Sequence, residues 1–447
     1  MPTRRDFLKQ AVIGTASVSM AGGIIPEISA KSYANIIGAN DKIRVGVIGV
    51  NSRGTALATN FAKQDRCEIT YICDVDSRAI AKCIEAVEKV AGYRPKGEKD
   101  LRKMLESKEV DAVVVATPDH WHAPAALLAI KAGKDVYLEK PCSYAPAEGE
   151  ILIEATEKYK RVVQMGNQRR SWPNIREGIA ALKEGIIGNV HFGKSWYAAG
   201  RGPIGVGKEA AVPDWLDWDL WQGPARRTAY RDNVVHYNWH WFWHWGTGEA
   251  LNNGTHMVDL LRWGMDLDYP TMVQSVGGRY FGDDDWETPD TQVINLEFGN
   301  KFSMTWEGRS CNALPVENFS VGCIFYGDKG SLFLTSNDEY KLYGPDQKLL
   351  KEQNSKQLVD PLNPANPANN LDAIHINNFF DAIRKGEALN SDIVSGHKST
   401  LLVQLGNISQ RMGRSLLIDD KTGRILNDPE AMKLWSRDFE PGWEMKI

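Results

Sequence analysis

The fold is decided by the stretch Ile43–Gly54, which reads IRVGVIGVNSRG. Its first half is an apolar run, interrupted only by Arg44 and Gly46, of the kind that forms a buried strand in a parallel sheet. Its second half has the spacing G-x-G-x-x-G, in which Gly49 permits a tight turn and Gly54 lets the next helix pack against the strand. Because the start of a helix offers free N–H groups to a pyrophosphate, the stretch predicts a dinucleotide-binding turn.

Asn51 stands where this pattern has its middle glycine. Asparagine tolerates a left-handed backbone better than other non-glycine residues, so the turn survives. Its side chain then either crowds the phosphate or bonds to it. We expect Asn51, Ser52 and Arg53 to bind the cofactor together with Gly49 and Gly54.

The next predicted strand, over 68–73, ends at Asp74, which lies 20 residues beyond Gly54. An acid at about this distance meets the ribose hydroxyls of the adenosine. Since a carboxylate there repels a 2'-phosphate, Asp74 favours NAD over NADP, although Arg53 and Arg78 lie close by in sequence.

Strands and helices continue to alternate as far as residue 165. The pattern predicts helices over 77–90, 100–105, 122–131 and 147–159, and strands over 111–116, 133–138 and 162–165. This rhythm is that of a doubly wound parallel sheet in an α/β protein. Thr117, Pro118 and His122 follow one of these strands at its carboxyl end, where open α/β sheets bind ligands. His122 is equally consistent with a structural position at the start of the next helix.

The strand over 133–138 runs into Glu139, Lys140 and Pro141. Proline stops the strand and fixes the backbone behind Lys140, so the lysine is held at a defined point. An isolated Glu-Lys-Pro is more often a surface turn. The neighbouring motifs instead place Lys140 at the seam between the dinucleotide half and the rest of the chain.

The order of these motifs resembles the Gfo/Idh/MocA family of oxidoreductases, which includes glucose-fructose oxidoreductase and inositol dehydrogenase. The resemblance is close over 42–168 and looser beyond. It is carried by the Gly-rich turn, the terminal Asp74, Ala116-Thr117-Pro118 with His122, Ala132-Gly133-Lys134, and Glu139-Lys140-Pro141.

The resemblance implies an N-terminal Rossmann sheet and a C-terminal α+β domain with a large, open, mainly antiparallel sheet. We expect an NAD-binding domain over 41–165 and a substrate-binding and oligomerisation domain over 166–447. Sheets of this size in the family often pair two subunits, so we expect a homo-oligomer. Glu139 and Gln168 are expected to contact the cofactor, and Arg169 the substrate, although an exposed basic turn is an equal alternative at 168–170.

In the family, one helix carries an acid and, four residues later, a histidine beside the reacting hydroxyl. Here Asn252 stands where the acid is expected, and His256 is kept. We expect the Asn252–Asn253 pair to cap a helix that starts near Gly254. Asparagine positions a hydroxyl but cannot take its proton, which leaves proton transfer to Lys140 and His256. We favour His256 as the base near neutral pH.

The segment 236–245, which reads HYNWHWFWHW, has the least usual composition in the chain. As a strand it puts its tryptophans, including Trp239 and Trp243, on one face and its histidines on the other. As a helix it stacks three histidines, which indicates a metal. No carboxylate completes such a set and β-propensity favours a strand or an extended loop, so we predict no metal site. A tryptophan face against a sugar is the sharper hypothesis, and a core or subunit contact is its equal alternative.

The remaining segments predict scaffold. Alternation indicates antiparallel strands over 271–280, 291–298, 301–307, 319–325 and 331–334, with a hairpin turn at 328–330. An irregular connector is expected over 360–370. Helices over 371–384 and 397–411 have apolar residues at helical spacing and are expected to pack on the nucleotide domain. His375 and His397 are interpreted as structural.

Composition bounds the class of protein. The 447 residues exceed one ordinary core, and a formal net charge of −4 shows no electrostatic footprint for nucleic acid. The six cysteines contain no CxxC pair, so we expect buried thiols. Thr3–Lys9 resembles a twin-arginine signal, followed by a stretch that is too short and too polar to span a membrane. We therefore expect a signal over 1–34, export to the periplasm and no stable membrane span.

These features predict an enzyme that moves hydride between a tightly bound NAD and a hydroxyl of a sugar, glycoside or cyclitol. The alternative is an NAD-dependent glycoside hydrolase that oxidises C3 transiently and eliminates the aglycone. A cofactor retained outside the cytoplasm fits both. A noncatalytic sugar-binding protein is a third interpretation, but it leaves Lys140 and His256 without a role.

Overall fold

The computed structural model describes residues 42–354 and 369–447, with the side chains of 369 and 370 excepted. The predicted signal over 1–34 and most of the predicted connector over 360–370 lie outside these residues.

Within the described chain, the first sheet has six parallel strands in the order β3-β2-β1-β4-β5-β6. The strand order reverses beside β1, and such a switch point is where doubly wound sheets bind ligands. This confirms the predicted doubly wound sheet. The strands are β1 (Ile43–Ile48), β2 (Cys67–Cys73), β3 (Lys96–Glu98), β4 (Ala112–Val115), β5 (Asp135–Leu138) and β6 (Val163–Met165). The helices between them are α1 (Arg53–Ala62), α2 (Ser77–Ala91), α3 (Leu101–Glu106), α4 (Asp119–Lys131) and α5 (Pro146–Tyr159).

The second sheet has nine strands over the described ranges, in the order β14-β13-β12-β11-β7-β10-β9-β8-β15. Among the strand pairs of this sheet in the described ranges, only β7 with β10 is parallel, and the others are antiparallel. The prediction of a mainly antiparallel sheet is therefore confirmed. Its strands are β7 (Val190–Ala198), β8 (Met272–Gly278), β9 (Thr291–Phe298), β10 (Phe302–Arg309), β11 (Val321–Gly327), β12 (Gly330–Thr335), β13 (Glu339–Tyr343), β14 (Leu349–Asn354) and β15 (Leu416–Leu417).

Five further helices follow in the described chain. They are α6 (Pro173–Lys183), α7 (Trp218–Gln222), α8 (Thr255–Gly264), α9 (Asn369–Lys385) and α10 (Ile393–Met412). Three of them, α6, α8 and α10, pack against the second sheet. Helix α9 lies against α1, where Phe380 packs edge-on to Phe61 at 5.5 Å between ring centres. His375 is buried and bonds to the hydroxyl of Ser171. These contacts agree with the predicted packing on the nucleotide domain.

Of the two conformations expected for segment 236–245, a strand or an extended loop, the strand is not formed. The segment folds as a short 3-10 helix, Asn238–Trp241, followed by turns in which Phe242 accepts backbone bonds from Trp245 and Gly246. Trp241 is buried and stacks on Trp286 at 4.1 Å between ring centres. Because the tryptophans find separate partners in this way, the predicted common tryptophan face does not exist.

Two further expectations concern cysteines and membranes. All six cysteines lie in the described ranges and are free thiols, and five of them are buried. Of the helices that the structure describes, none combines the length and the apolar character that a membrane crossing requires. The described residues contain no cluster of three or more side chains that could hold a metal ion.

Candidate active site

A cavity of about 650 Å³ lies at the carboxyl ends of the first sheet's strands and is closed on its other side by the C-terminal half. Open α/β sheets bind their ligands at this edge. The cavity is lined by most of the residues that the sequence predicts for the site: Gly49, Asn51, Ser52, Arg53, Asp74, Thr117, Pro118, His122, Glu139, Lys140, Gln168, Trp239, Asn252 and His256.

The turn after β1 leaves room for backbone only. Gly49 has φ +80°, and a Cβ on it would lie 2.7 Å from the backbone of Thr117. A Cβ on Gly54 would lie 1.8 Å from the carbonyl oxygen of Gly49, so this glycine packs the helix against the turn. Within the described chain, no side chain caps the start of α1 at Ser52. The N–H groups of that first turn therefore remain available to a phosphate.

Asp74 ends β2 and holds the same turn. Its carboxylate accepts a 2.6 Å bond from the Val50 N–H and a 2.9 Å bond from the Asp76 N–H. Burial raises its pKa above the ordinary aspartate value. The guanidinium of Arg78 is bonded to Asp76 and lies 3.3 Å over the Trp215 ring. Since Arg78 is engaged in this way, it does not offset the repulsion between Asp74 and a 2'-phosphate.

Arg53 forms ion pairs rather than presenting a free cation. Its guanidinium bonds to Glu139 at 2.8 Å and to Asp372 at 2.8 Å. Burial works to raise the pKa of Glu139, but the charges of Arg53 and Lys140 hold it below the ordinary value. Arg53 and Glu139 both line the cavity. Their charges neutralise each other, so neither side chain presents a free charge to the cofactor.

Lys140 follows β5 and projects into the cavity. Its ammonium donates to the backbone oxygen of Asn252 at 2.6 Å and to the side-chain oxygen of Asn252 at 3.1 Å. Burial lowers the pKa of Lys140, although the carboxylates of Glu139 and Asp119 oppose the shift. A lysine with a lowered pKa can take a proton in a catalytic step.

His256 lies in the first turn of α8 and is 5% exposed. Among the described residues its Nδ1 has no hydrogen-bond partner. Burial, and then the charges of Arg169 and Lys140, lower its pKa well below the ordinary histidine value. The imidazole is therefore neutral at physiological pH. Burial thus lowers the pKa of both groups, and the assignment of His256 as the base stays a prediction.

The predicted helix cap at Asn252 and Asn253 is wrong. The chain is already helical at Gly248, and a π-helical turn over Ala250–Gly254 leads directly into α8. Both asparagine amides donate to the carboxylate of Glu249 one turn earlier. Such π-helical turns are frequent at functional sites.

Two predicted substrate contacts lie elsewhere. Arg169 is 2% exposed, packs 5.0 Å over the Trp172 ring and is absent from the cavity lining in the described structure. Burial lowers its pKa to about 10. Trp243 lines a second cavity of about 370 Å³, with Arg411 at 4.9 Å over its ring. Trp239 does line the main cavity, stacked on His240 at 3.6 Å.

Residues that sequence reasoning missed complete the wall opposite the first sheet. Glu249 is 2% exposed and pairs with Arg201 at 2.7 Å. The same guanidinium donates to the hydroxyls of Tyr237 at 2.8 Å and Tyr197 at 3.1 Å. Glu249 lies three residues before Asn252, and side chains at this spacing contact each other in a helix. The sequence therefore contained a signal for the contact between Glu249 and Asn252.

Comparison with known proteins agrees with this geometry. Residues 43–167 match the Gfo/Idh/MocA family model described as "Oxidoreductase family, NAD-binding Rossmann fold". Residues 218–417 match the model described as "Oxidoreductase family, C-terminal alpha/beta domain". The chain belongs to the Gfo/Idh/MocA oxidoreductase family. Its first sheet is thus an NAD-binding Rossmann fold.

Two curated relatives are glycosidases by name. One is a glycosyl hydrolase family 109 protein 2 of Shewanella sp. strain ANA-3, 29% identical over 207 residues, or 43% of this chain and 45% of that protein. The other is the alpha-N-acetylgalactosaminidase of Shewanella oneidensis, 27% identical over 212 residues, with the same two coverages. Each match spans less than half of the relative's length.

A solved structure shares the fold. A levoglucosan dehydrogenase, in complex with NADH and levoglucosan, superposes with a TM-score of 0.65 at 18% identity. The superposition covers 84% of this chain and 99% of that one. It supports the two-sheet architecture of this Gfo/Idh/MocA member.

The residues present fit NAD. The cradle at Gly49 and Gly54 admits no Cβ, and the start of α1 is uncapped by side chains as far as the structure describes it. The hydroxyl of Thr117 is buried and has no partner among the described residues. A pyrophosphate would accept hydrogen bonds from the N–H groups of this turn, and the Asp74 carboxylate would accept hydrogen bonds from the ribose hydroxyls.

Proposed function

We propose that this protein transfers hydride between bound NAD and a hydroxyl-bearing carbon of a sugar, glycoside or cyclitol. The observation that carries the proposal is the Lys140 ammonium. It is held by Asn252 in the same cavity as His256 and the dinucleotide turn.

Bound NAD supplies a hydride acceptor, and the protein must then manage the proton of the oxidised hydroxyl. An ammonium has three donors, and Asn252 accepts two of those of Lys140. The third would donate to a substrate hydroxyl. After Lys140 loses its proton, its lone pair accepts the hydroxyl proton as hydride leaves the carbon.

His256 orients the same hydroxyl. Its unpartnered Nδ1 among the described residues offers one hydrogen bond, and the ring stays neutral because burial lowers its pKa. A neutral imidazole beside Lys140 avoids a second positive charge next to an oxidised nicotinamide.

The rest of the lining favours a polyhydroxy compound. Arg201, Tyr237 and Asn253 line the same cavity as the indole of Trp239. Aromatic faces with a few convergent polar groups are the usual surroundings of a small polar ligand. The levoglucosan dehydrogenase that superposes on this chain was solved in complex with levoglucosan, which supports the same class of substrate.

A glycoside hydrolase that borrows hydride is the second candidate, and the names of the two curated relatives favour it. Oxidation at C3 acidifies the C2 proton, so the aglycone can be eliminated. Water then adds, and the hydride returns to C3. The net reaction is hydrolysis without redox change.

One experiment tests the function and separates the two candidates. Purified protein without added cofactor is incubated with a panel of glycosides in heavy water, and products are read by mass spectrometry. An intact glycoside that has lost two hydrogens supports the dehydrogenase. A released aglycone with deuterium at C2 of the sugar supports the hydrolase, and unchanged glycosides throughout contradict both.

We also propose export by the twin-arginine route, on the strength of Arg4 and Arg5 ahead of an apolar stretch. Changing both to lysine should leave the protein in the cytoplasm of fractionated cells. Recovery of that variant in the periplasm would contradict the proposal.

A homo-oligomer formed through the second sheet is proposed from the apolar groups on its open face, such as Val276, which is 59% exposed on β8. Light scattering should show more than one chain per particle, and Val276→Lys should reduce that number. A wild-type protein that is monomeric at micromolar concentration would contradict it.

A further inference from the structure

We propose that Glu249 is a positioning residue, whose carboxylate fixes the side-chain amide of Asn252 so that the amide oxygen faces Lys140. The inference deepens the proposed function and rests on it, because Lys140 handles the proton of the substrate hydroxyl. Glu249 acts through Asn252 and is not assigned a contact with substrate.

Two opposite charges fix the orientation of the side-chain amide of Asn252. Asn252 donates from Nδ2 to Glu249 at 3.3 Å, and its Oδ1 accepts from the Lys140 ammonium at 3.1 Å. The flipped amide would place two donors against the ammonium and an oxygen against the carboxylate, and both contacts repel. The anion and the cation together therefore permit one orientation.

Glu249 is itself immobile. It is 2% exposed, and one carboxylate oxygen accepts from Arg201 at 2.7 Å and from the Ser310 hydroxyl at 3.3 Å. The other oxygen accepts from the amides of Asn252 and Asn253. A buried carboxylate with both oxygens engaged cannot turn without losing bonds.

The pKa of Lys140 is lowered by burial, and the negative charge of Glu249 is one of the groups that oppose this. Removing that charge should lower the pKa of Lys140 further. Such a substitution leaves Arg201 without its counterion. It leaves in place the other charged or titratable groups around Lys140: Glu139, Asp119, Arg53, His122, His240 and His256.

The test compares Glu249→Gln with Ser310→Ala in the full-length, NAD-loaded protein. Ser310→Ala removes one bond to the same carboxylate and keeps the charge. Acetylation of Lys140 by acetic anhydride is followed against pH by peptide mass spectrometry. The pH of half-maximal reactivity should fall by about 0.5 to 1 unit in Glu249→Gln and stay unchanged in Ser310→Ala. An unchanged value in Glu249→Gln overturns the proposal.

A double-mutant cycle tests whether Glu249 acts through Asn252. Glu249→Gln and Asn252→Leu should each reduce kcat about tenfold, and the double variant should be no worse than Asn252→Leu alone. Effects that multiply would show independent roles and overturn the proposal. If Glu249→Gln does not fold because Arg201 loses its counterion, the double variant Glu249→Gln with Arg201→Gln is compared with Arg201→Gln alone, so that the two proteins differ only in the charge of Glu249.

Acetylation also separates this inference from the proposed function, since it requires no turnover. A shifted Lys140 reactivity in Glu249→Gln, in a protein whose wild type oxidises no carbohydrate, supports the geometry while the function fails. Oxidation by the wild type, with neither readout moved in Glu249→Gln, overturns the role of Glu249 alone.

Discussion

Arg53 and Asp372 form a 2.8 Å ion pair that joins the helix after the dinucleotide turn to helix α9, more than 300 residues later in the chain. The same guanidinium bonds to Glu139 at the end of β5. One side chain thus ties together the turn that holds NAD, the strand that delivers Lys140 and the C-terminal helices. The geometry of the site therefore depends on both halves of the chain.

Arg53→Ala should destabilise the protein by about 3 kcal/mol, because it leaves the buried carboxylates of Glu139 and Asp372 without a cation. Urea unfolding measures the loss. The matched control is Arg44→Ala, which breaks a pair with Asp111 whose side chains are 39% exposed and should cost about 1 kcal/mol or less. Equal losses in the two variants would contradict the bridging role.

Asp74→Ser should weaken NAD binding about tenfold or more and narrow the preference for NAD over NADP, since the carboxylate no longer meets the ribose or repels a 2'-phosphate. Isothermal titration of the two cofactors measures both effects. Arg78→Gln is the control and should leave the preference unchanged, because that guanidinium is bound to Asp76. An unaltered ratio of affinities in Asp74→Ser would remove the residue from the ribose site.

The rate of carbohydrate oxidation should rise with pH as Lys140 loses its proton. Since burial lowers the pKa of Lys140 from the ordinary 10.5, the midpoint of the rise should lie below pH 10.5. A pH profile of kcat/KM measures it, and Lys140→Met should abolish the rise. A rise that persists in Lys140→Met would assign the base to another group.

Stability should decline in acid through His397, which is 2% exposed and whose pKa is lowered to about 4 by burial. The unfolded chain binds this proton below the ordinary value of 6.5, whereas the folded chain does not until about pH 4. The stabilising effect of the neutral ring is thus complete above pH 6.5 and is lost as pH falls toward 4, by up to about 3 kcal/mol.

His397→Gln should flatten this acid limb, measured as the free energy of unfolding in urea between pH 7 and about pH 4. His191→Gln, which changes an exposed residue near the start of β7, controls for the removal of a histidine. An acid limb as steep in His397→Gln as in wild type would contradict the assignment.

Five of the six strands of the first sheet could be predicted, because each reads as a short apolar run that leads into a chemically informative residue. The sixth, β3, is short and polar, and it was expected as a connecting segment. Gly49, Asp74, Thr117 and Lys140 were placed correctly for this reason, since parallel strands bring their carboxyl ends to one edge. The antiparallel strands β8 to β12 could be predicted from the alternation of apolar and polar residues.

The opposite wall could not be predicted in the same way. The pair of Arg201 with Glu249 joins a loop after β7 to a helical turn 48 residues later, and no local pattern encodes that contact. The tryptophan-rich segment does not form a strand despite its alternating sequence, because a strand forms only where a neighbouring strand shares its backbone hydrogen bonds. Here the backbone bonds are made within turns, and Trp241 and Trp243 face different surroundings.

The central claim is that Lys140 takes the proton of a carbohydrate hydroxyl as hydride moves to bound NAD. Its most direct test mixes NAD-loaded protein with an active glycoside and follows the absorbance of the reduced nicotinamide in a single turnover. Lys140→Met should retain its NAD and reduce it about 10³-fold more slowly than wild type. Equal rates in the two proteins, at equal NAD content, would contradict the claim.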